Sequence, residues 1–280
     1  MQQPDAPTLA AVIATLQEWF PEPSAQSWDR VGLVTGDPEQ PVGRIHLALD
    51  PTLAVIEEAR ALGADLLVTH HPLLLRGVHS VATTTAKGAS ITTLVLADIA
   101  LYVAHTNADI AERGVSQALA SACGLLDAQP LLMEEGRPMG RVGRLAAPMS
   151  LREFAVRLAA ALPAAPVGLR VSGDPEAAVQ RVAVSGGAGD GFFDAVRAHG
   201  ADVYVTADLR HHPALEAREE GRGGTPYLID AGHWASEACW LPLLAADLRA
   251  ALPEVEVTIS GVCTDPWTFL VTPARPGTPT

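Results

Sequence analysis

The stretch RALGADLLVTHH, residues 60–71, contains a helix end, a glycine, an apolar run and two histidines in direct succession. An apolar stripe that begins at Ile56 predicts the helix, and Gly63 is the residue type that commonly ends one. The apolar run at residues 65–69 predicts a buried strand, which Pro72 stops. A helix that leads into such a strand is typical of an α/β unit with a parallel sheet.

The same pattern returns 137 residues later as RAHGADVYVTA, residues 197–207, where 7 of the 11 positions match residues 60–70. A short apolar strand precedes each copy, at residues 44–47 and 181–184. The repeat predicts an α/β fold of two pseudo-repeated lobes, with a functional site in the cleft between them.

We expect the first α/β lobe at residues 1–127 and the second at 128–280, with residues 226–280 able to pack back on the first lobe. Residues 133–140 are rich in glycine, proline and glutamate and are expected to form a linker. Ser150 and Glu153 form a capping box, which predicts the start of a helix. The expected helices are residues 9–19, a helix that begins at Asp50 and Pro51 and ends at Gly63, and residues 89–99, 114–123, 151–162 and 234–251.

The composition is that of a folded, acidic protein. The chain has 280 residues, of which 48% are hydrophobic, and this is enough for a large core in one or two lobes. Its formal net charge of -13 and its pI near 5.0 argue against general binding to nucleic acid or to anionic membranes. The apolar runs are too short to span a bilayer.

The cysteines and the N-terminal sequence predict a cytoplasmic location. Cys123, Cys239 and Cys263 are widely spaced and form no CxxC pair, which suits a reducing compartment. Residues 1–20 lack the basic segment and apolar core of a secretory signal.

His70 and His71, at the tip of a predicted buried strand, are the first indication of chemistry. Neutral imidazole is the commonest side-chain ligand of first-row divalent cations. Neighbouring side chains in a strand point to opposite faces, so the two rings can serve two ions that lie a few ångströms apart. The alternative is a hydrogen-bonded pair that ends the strand, and the pair alone does not decide between the two.

Two further polar groups follow apolar strands, HTNAD at residues 105–109 and GHWASE at residues 232–237. Ligands of α/β proteins bind beyond the carboxyl ends of strands, so these groups are expected to meet His70 and His71. A carboxylate can bridge two ions because it has two oxygens. The sequence therefore predicts two divalent ions, of the type Zn, Fe, Mn, Co or Ni, with the ligands His70, His71, Asp109, His233 and Glu237.

Other polar residues leave alternatives open. SGGAGDG at residues 185–191 is similar to a phosphate-binding turn but lacks the Lys-Ser/Thr ending, and a tight turn is the preferred interpretation. His211 and His212 are expected at the start of a surface helix near the cleft. Trp28 and Asp29 either line the site or belong to the core. The histidines interpreted as structural or exposed are His46, His79 and His199.

Five motifs occur in the order and spacing of the NIF3-like family, whose members are also described as GTP cyclohydrolase 1 type 2 homologs. The chain resembles that family from about residue 9 to residue 269. The motifs are WDRVGL at residues 28–33, THHPL at 69–73, HTNAD at 105–109, SGGAG at 185–189 and GHWASE at 232–237.

The resemblance implies a two-lobed α/β subunit with a dinuclear metal centre and assembly into a homohexamer. The family's metal ligands match the five residues predicted above, and His105 matches a family position beside the centre, as a ligand or as a supporting group. The chain departs from the family at Arg30, where Asn is common, and at Ala207, where Gly is common. Both positions are expected near the site, so they bear on the substrate.

The favoured hypothesis is a metal-dependent hydrolase of a small phosphorylated or nucleotide-like substrate, because paired ions lower the pKa of bound water. His105 and His212 are the expected catalytic residues, as proton donors. The alternative is a non-catalytic metal-binding adaptor or regulatory protein. The resemblance also raises GTP cyclohydrolase activity as a third hypothesis, but this needs a guanine site, for which the sequence has no motif.

Overall fold

The structure is a computed structural model that describes residues 6–271. Its helices are α1 (Leu9–Trp19), α2 (Leu53–Leu62), α3 (Ala86–Leu96), α4 (Thr106–Ile110), α5 (Val115–Ala122), α6 (Leu151–Ala161), α7 (Phe193–Ala198), α8 (His211–Glu220), α9 (His233–Ala238) and α10 (Leu241–Ala251). Its strands are β1 (Gly32–Thr35), β2 (Arg44–Ala48), β3 (Leu66–Thr69), β4 (Ala100–Val103), β5 (Leu126–Gln129), β6 (Leu132–Glu134), β7 (Arg137–Met139), β8 (Arg141–Ser150), β9 (Arg170–Ser172), β10 (Ala178–Ala188), β11 (Val203–Ala207), β12 (Tyr227–Asp230) and β13 (Glu256–Ile259).

The first sheet has the strand order β1-β4-β3-β2-β13. Its strands are parallel except for β1, which pairs antiparallel with β4 at one edge. Side chains such as Ile45 and Leu47 pack under α1 and α10, whereas Leu67 and Leu101 pack against the opposite helices α2 and α3. Because both faces are covered, β3 and β4 are almost entirely apolar rather than alternating, whereas β2 also carries the buried His46.

The second sheet has the strand order β5-β8-β10-β11-β12-β9, with a parallel centre of β10, β11 and β12. Its two faces also carry separate cores. Val182 and Val203 pack with α6 on one face, and Tyr204 packs with α7 and α8 on the other. Helix α5 joins the two halves, because Val115 belongs to a core of the first sheet and Leu119 to a core of the second.

The sequence repeat corresponds to two equivalent helix-to-strand units. In the first, α2 ends at Gly63, whose φ is 65°, and β3 follows; in the second, α7 leads through Gly200, whose φ is 59°, into β11. Asp65 accepts hydrogen bonds from two successive backbone amides at the start of β2, at 2.8 and 2.9 Å. Asp202 does the same in β10, at 2.8 and 2.7 Å. The prediction of an α/β fold with repeated units is therefore confirmed.

Four predicted elements differ from the structure. Helix α3 spans Ala86–Leu96, three residues earlier than the predicted helix at residues 89–99. Helix α2 begins at Leu53, with the Thr52 hydroxyl as its cap, because the Asp50 carboxylate binds a histidine instead. The expected linker at residues 133–140 is the β6–β7 hairpin, with Glu135 and Gly136 at positive φ in a tight two-residue turn. The expected helix at residues 234–251 is two helices, α9 and α10. Pro242 lacks an amide hydrogen and favours a new helix start rather than continuation.

Other sequence expectations agree with the structure. Helix α1 spans the predicted residues, and the Ser150 hydroxyl caps α6 by accepting from the Glu153 amide at 3.2 Å. Strand β13, near the end of the chain, pairs in parallel with β2 of the first sheet. The division into lobes at residue 127 stays a prediction. No helix within residues 6–271 is long and apolar enough to cross a bilayer.

Candidate metal centre

The predicted ligands come from strand ends of both sheets. His70 and His71 directly follow β3, and His105 follows β4, which is the parallel neighbour of β3. Asp109 lies in the short helix α4. His233 begins α9, after β12 of the second sheet, and the fifth predicted ligand, Glu237, lies one turn further along the same helix. The carboxyl ends of the parallel strands thus deliver side chains from distant parts of the chain to one cluster.

Short distances connect these side chains. Glu237 Oε2 lies 3.0 Å from His71 Nε2 and 3.2 Å from His233 Nε2, and these two nitrogens are 3.3 Å apart. His70 Nε2 lies 3.5 Å from Asp109 Oδ1 and 3.8 Å from Glu237 Oε1. The His105 ring stands 5.0 Å from the His70 ring and 5.5 Å from the His71 ring, between centroids. The five predicted ligands and His105 therefore form one cluster.

Each of the four histidine rings is held by its Nδ1 atom. His70 Nδ1 donates to the Ala104 carbonyl at 2.9 Å. The other three rings bind carboxylates: His71 binds Asp50 at 2.7 Å, His105 binds Asp29 at 2.9 Å and His233 binds Asp208 at 2.7 Å. Acceptors at Nδ1 place the proton there and leave Nε2 free for a metal, and such supporting groups are typical of histidine ligands.

Asp29 also organises the backbone beside the cluster. Besides His105, it accepts from the Thr106 amide at 3.0 Å and from the Thr106 hydroxyl at 2.6 Å. Burial alone would raise the pKa of Asp29, but these hydrogen bonds outweigh burial and hold the pKa well below its usual range. Because α4 has no side-chain cap of its own, the ionised Asp29 caps this helix from a distant loop.

The charges of the cluster are strongly coupled. Burial alone would lower the pKa of His71, but its hydrogen bond to Asp50 and its close contact with the Glu237 carboxylate raise it to about 10. Burial also opposes the charged form of His233, yet its contacts with Glu237 and Asp208 raise that pKa to about 9. Without a metal ion, imidazolium groups therefore supply the positive charge that balances the buried carboxylates.

Two buried atoms indicate that the donor set fits a metal. His70 Nε2 and Glu237 Oε2 have no hydrogen-bond partner of good geometry among the described residues. Buried polar atoms seldom stay unpaired, and an ion at the cluster would satisfy both. Two sets of three residues have ligand atoms within 4.8 Å of one another and could each hold an ion. These are His70, His71 and His105, and His71, His233 and Glu237.

The glycine-rich C-terminal end of β10 supports Glu237 rather than forming a separate site. Gly187 has φ 62°, and a Cβ atom there would lie 2.3 Å from Glu237 Oε1. A Cβ on Gly186 would lie 2.7 Å from Val115 and 3.4 Å from Glu237 Cγ. The Gly187 amide donates to Ser236 at 3.0 Å. Glycine is therefore needed for close approach. The predicted tight turn is only partly correct, because residues 185–188 belong to β10 and the turn follows at residues 190 and 191.

Two cavities adjoin the His71–His233 pair. The first, which we name the Trp28 cavity, has a volume of about 520 Å³ and is lined by Trp28, His105, Asp109 and Glu237. The second, the Trp267 cavity, has a volume of about 800 Å³ and is lined by Asp50, Asp208, Arg170, Trp234 and Trp267. The candidate centre is thus accessible from open space on two sides.

The remaining sequence predictions differ in where their residues lie. His212 is exposed on the first turn of α8, where its ring packs on His211, and it lines neither of the two cavities. Trp28 and Asp29 do border the cluster. The supporting roles of Asp50 and Asp208 were missed, because each lies more than twenty residues from its histidine and has no distinctive motif. Their position directly after strands β2 and β11 was the available signal.

The fold and the cluster together define an α/β protein whose histidines and carboxylates could hold a metal ion. The model of the Duf34/NIF3 (NGG1p interacting factor 3) family matches residues 7–266. The chain belongs to this family.

Relatives and solved structures agree with this assignment. The chain is 50% identical to a protein of Streptomyces coelicolor named "GTP cyclohydrolase 1 type 2 homolog", over 96% of each chain. A protein of the same name from Mycobacterium tuberculosis is 35% identical, over 92% of this chain and 96% of the relative. Staphylococcus aureus hypothetical protein SA1388 superposes with a TM-score of 0.85 at 27% identity, over 95% of this chain and all of that one.

Proposed function

We propose that this protein is a metal-dependent hydrolase of a small phosphorylated or nucleotide-like substrate. The observation that carries the proposal is that an acceptor fixes each of four histidines at Nδ1, beside the buried Glu237 carboxylate and the partly buried Asp109 carboxylate. The residues proposed to hold two divalent ions are His70, His71, Asp109, His233 and Glu237. When bound, paired ions lower the pKa of water and stabilise negative charge on the attacked group.

The side chains of this chain would perform the remaining tasks. Asp50 and Asp208 keep the His71 and His233 rings oriented, and Gly187 leaves space for the Glu237 carboxylate. His105 lines the Trp28 cavity with its Nδ1 bound to Asp29, so a doubly protonated His105 ring would pass its Nε2 proton to the leaving group and keep the Nδ1 proton in its hydrogen bond to Asp29. The proposed catalytic role of His212 has less support, because its exposed ring lines neither cavity.

The test combines metal analysis with an activity screen. Purified protein is expected to hold two equivalents of a divalent metal and to hydrolyse a member of a panel of phosphate-containing metabolites. Glu237→Ala should lose at least one equivalent, and His71→Ala and Asp109→Ala should lose activity by about 100-fold or more. The exposed His79 lies outside the cluster, so His79→Ala is the matched control.

Two results would count against the proposal in different ways. If Glu237→Ala still holds two tightly bound equivalents, the ligand assignment is wrong. If the fully loaded wild type hydrolyses nothing in the panel, or if activity persists unchanged in His71→Ala and Asp109→Ala after chelation, this site is not a catalyst. The non-catalytic metal-binding adaptor would then be the better description.

A further inference from the structure

The two cavities meet different sides of the same histidines. The Trp267 cavity is lined by Asp50 and Asp208, the carboxylates that bind Nδ1 of His71 and His233. The Trp28 cavity is lined by Glu237, whose Oε2 lies beside the two Nε2 atoms. The metal-binding side of the cluster therefore opens into the Trp28 cavity, and its supporting side faces the Trp267 cavity.

Trp28 is held in place although its side chain is substantially exposed. The residue is 52% exposed, yet its indole Nε1 donates to Gln26 Oε1 at 2.7 Å. Gln26 is fixed in turn, because its backbone amide donates to the Thr106 hydroxyl at 2.9 Å and its side-chain amide donates to Glu134 at 3.0 Å. An indole whose polar atom is already satisfied within the chain presents a preorganised apolar surface at the cavity wall.

The position of this indole relates it directly to the cluster. Its ring is nearly perpendicular to the His105 ring, at an interplanar angle of 80° and a centroid distance of 5.9 Å. His105 is itself 5.0 Å from His70, between ring centroids. A group bound at the cluster would therefore lie within one small molecule's length of the indole.

The charges around the Trp28 cavity restrict the substrate further. Among the described residues that line it, the ionisable side chains are three histidines and three carboxylates, with no lysine or arginine. They are His71, His105, His233, Glu134, Asp109 and Glu237. Chains of phosphates are usually bound by cationic side chains or by ranks of backbone amides. The lining of the Trp28 cavity therefore suits a substrate with one anionic group, bound at the metal ions, and an uncharged remainder.

We propose that Trp28 is the stacking platform of the site and selects substrates that join a planar ring to a single anionic group, such as a nucleoside monophosphate. This inference deepens the hydrolase proposal and rests on it for the position of the anionic group. Stacking on an aromatic side chain is tolerant of ring identity, so Trp28 would select for a ring rather than for one base.

The experiment compares ligands with and without a ring in protein loaded with Mn²⁺. Adenosine 5′-monophosphate and ribose 5-phosphate are titrated calorimetrically into wild type, Trp28→Ala, Trp28→Phe and Trp267→Ala. Wild type should bind the nucleotide about tenfold or more tightly than the sugar phosphate. Trp28→Ala should abolish this preference, Trp28→Phe should retain part of it, and Trp267→Ala should retain all of it. Metal content is measured for each variant.

The outcomes separate this inference from the hydrolase proposal. Equal affinities for the two ligands in wild type, or no binding of either, would overturn the inference. So would a preference that depends on Trp267 instead of Trp28, or tighter binding of adenosine 5′-triphosphate than of the monophosphate by more than about tenfold at the same free Mn²⁺ concentration. A Trp28-dependent preference without any turnover would support the platform and reject the hydrolase.

Discussion

Asp29 is the residue on which the most polar contacts beside the cluster converge. Its two oxygens accept hydrogen bonds from the His105 ring and from both the amide and the hydroxyl of Thr106. The side chain is fully buried, so these donors have no access to water as a substitute. One carboxylate therefore orients a histidine and caps the helix that carries Asp109.

Replacement of Asp29 should destabilise the protein strongly. Asp29→Ala leaves several buried donors unpaired, and we expect a loss of about 3 kcal/mol in the free energy of unfolding. Glu216 is an exposed carboxylate on a surface helix, and Glu216→Ala should cost less than about 0.5 kcal/mol. Urea unfolding of both variants measures the difference, and equal costs would contradict the role of Asp29.

The stabilisation from Asp29 should also depend on pH. Its folded-state pKa is lowered, so the stabilisation is complete above the unfolded pKa of about 4 and is lost as the pH falls through the lower folded value. The stability difference between wild type and Asp29→Asn should thus be largest near neutral pH and shrink in acid. A difference that grows as the pH falls below about 4 would have the wrong sign.

Metal affinity should also increase with pH, but over a higher pH range. His71, with a pKa of about 10, and His233, with a pKa of about 9, carry protons at neutral pH in the ion-free protein. A metal needs the neutral ring, so the affinity should rise with pH from about 7 to about 9 and binding should release protons. Calorimetry in buffers of different ionisation enthalpy counts these protons. A pH-independent affinity with no release would contradict the assignment of both rings as ligands.

At the scale of elements, the C-terminal end of β10 has to pass very close to α9. Gly187→Ala would place a methyl group against Glu237 and would strain the backbone at positive φ. Gly200 has a similar φ of 59° with no heavy atom within 4 Å of its missing Cβ, so Gly200→Ala is a matched control for the strain alone.

The two glycine variants should separate strain from displacement of Glu237. Both should lose about 1 kcal/mol of stability from the left-handed backbone. Gly187→Ala should in addition weaken metal binding by about tenfold or more, because its methyl group moves a proposed ligand. Thermal unfolding and metal titration measure the two effects. If both variants bind metal as wild type does, Gly187 has no role in positioning Glu237.

The elements that follow local rules were predictable from the sequence, and those shaped by tertiary contacts were not. The Ser150 cap of α6 depends on residues three apart, so the sequence shows it. Asp50 has the sequence context of a helix cap, but its carboxylate binds His71, which is 21 residues away. The predicted ligands meet because the order of the strands in the sheets brings them together. The supporting carboxylates Asp50 and Asp208 can be recognised only once the positions of the His71 and His233 rings are known.

At the scale of the whole molecule, the cluster needs both sheets. His71 and His233 meet across 162 residues of sequence, so an unfolded chain cannot offer the complete donor set. Metal that binds only the folded state should stabilise it by about 2.7 kcal/mol at a free concentration 100 times the dissociation constant. Chelation should therefore lower the unfolding temperature of wild type by more than that of Glu237→Ala. An equal effect on both proteins would place the stabilising metal elsewhere.

The family resemblance predicts assembly beyond the single chain. A homohexamer should show a molar mass near six times the 29.3 kDa of the chain. Light scattering coupled to size-exclusion chromatography measures this mass directly. A stable monomer at micromolar concentration would contradict the prediction.

Strand β13 closes the edge of the first sheet beside β2, although residues 49–255 separate the two strands in sequence. During synthesis of the chain, β2 is made before β13 and cannot pair with it until residues 256–259 have been added. At a synthesis rate of about 5–20 residues per second, that interval lasts about 10–40 s. During this time the edge of β2 is open to pairing with other nascent chains, so aggregation of the partly made protein is favoured until β13 has been made.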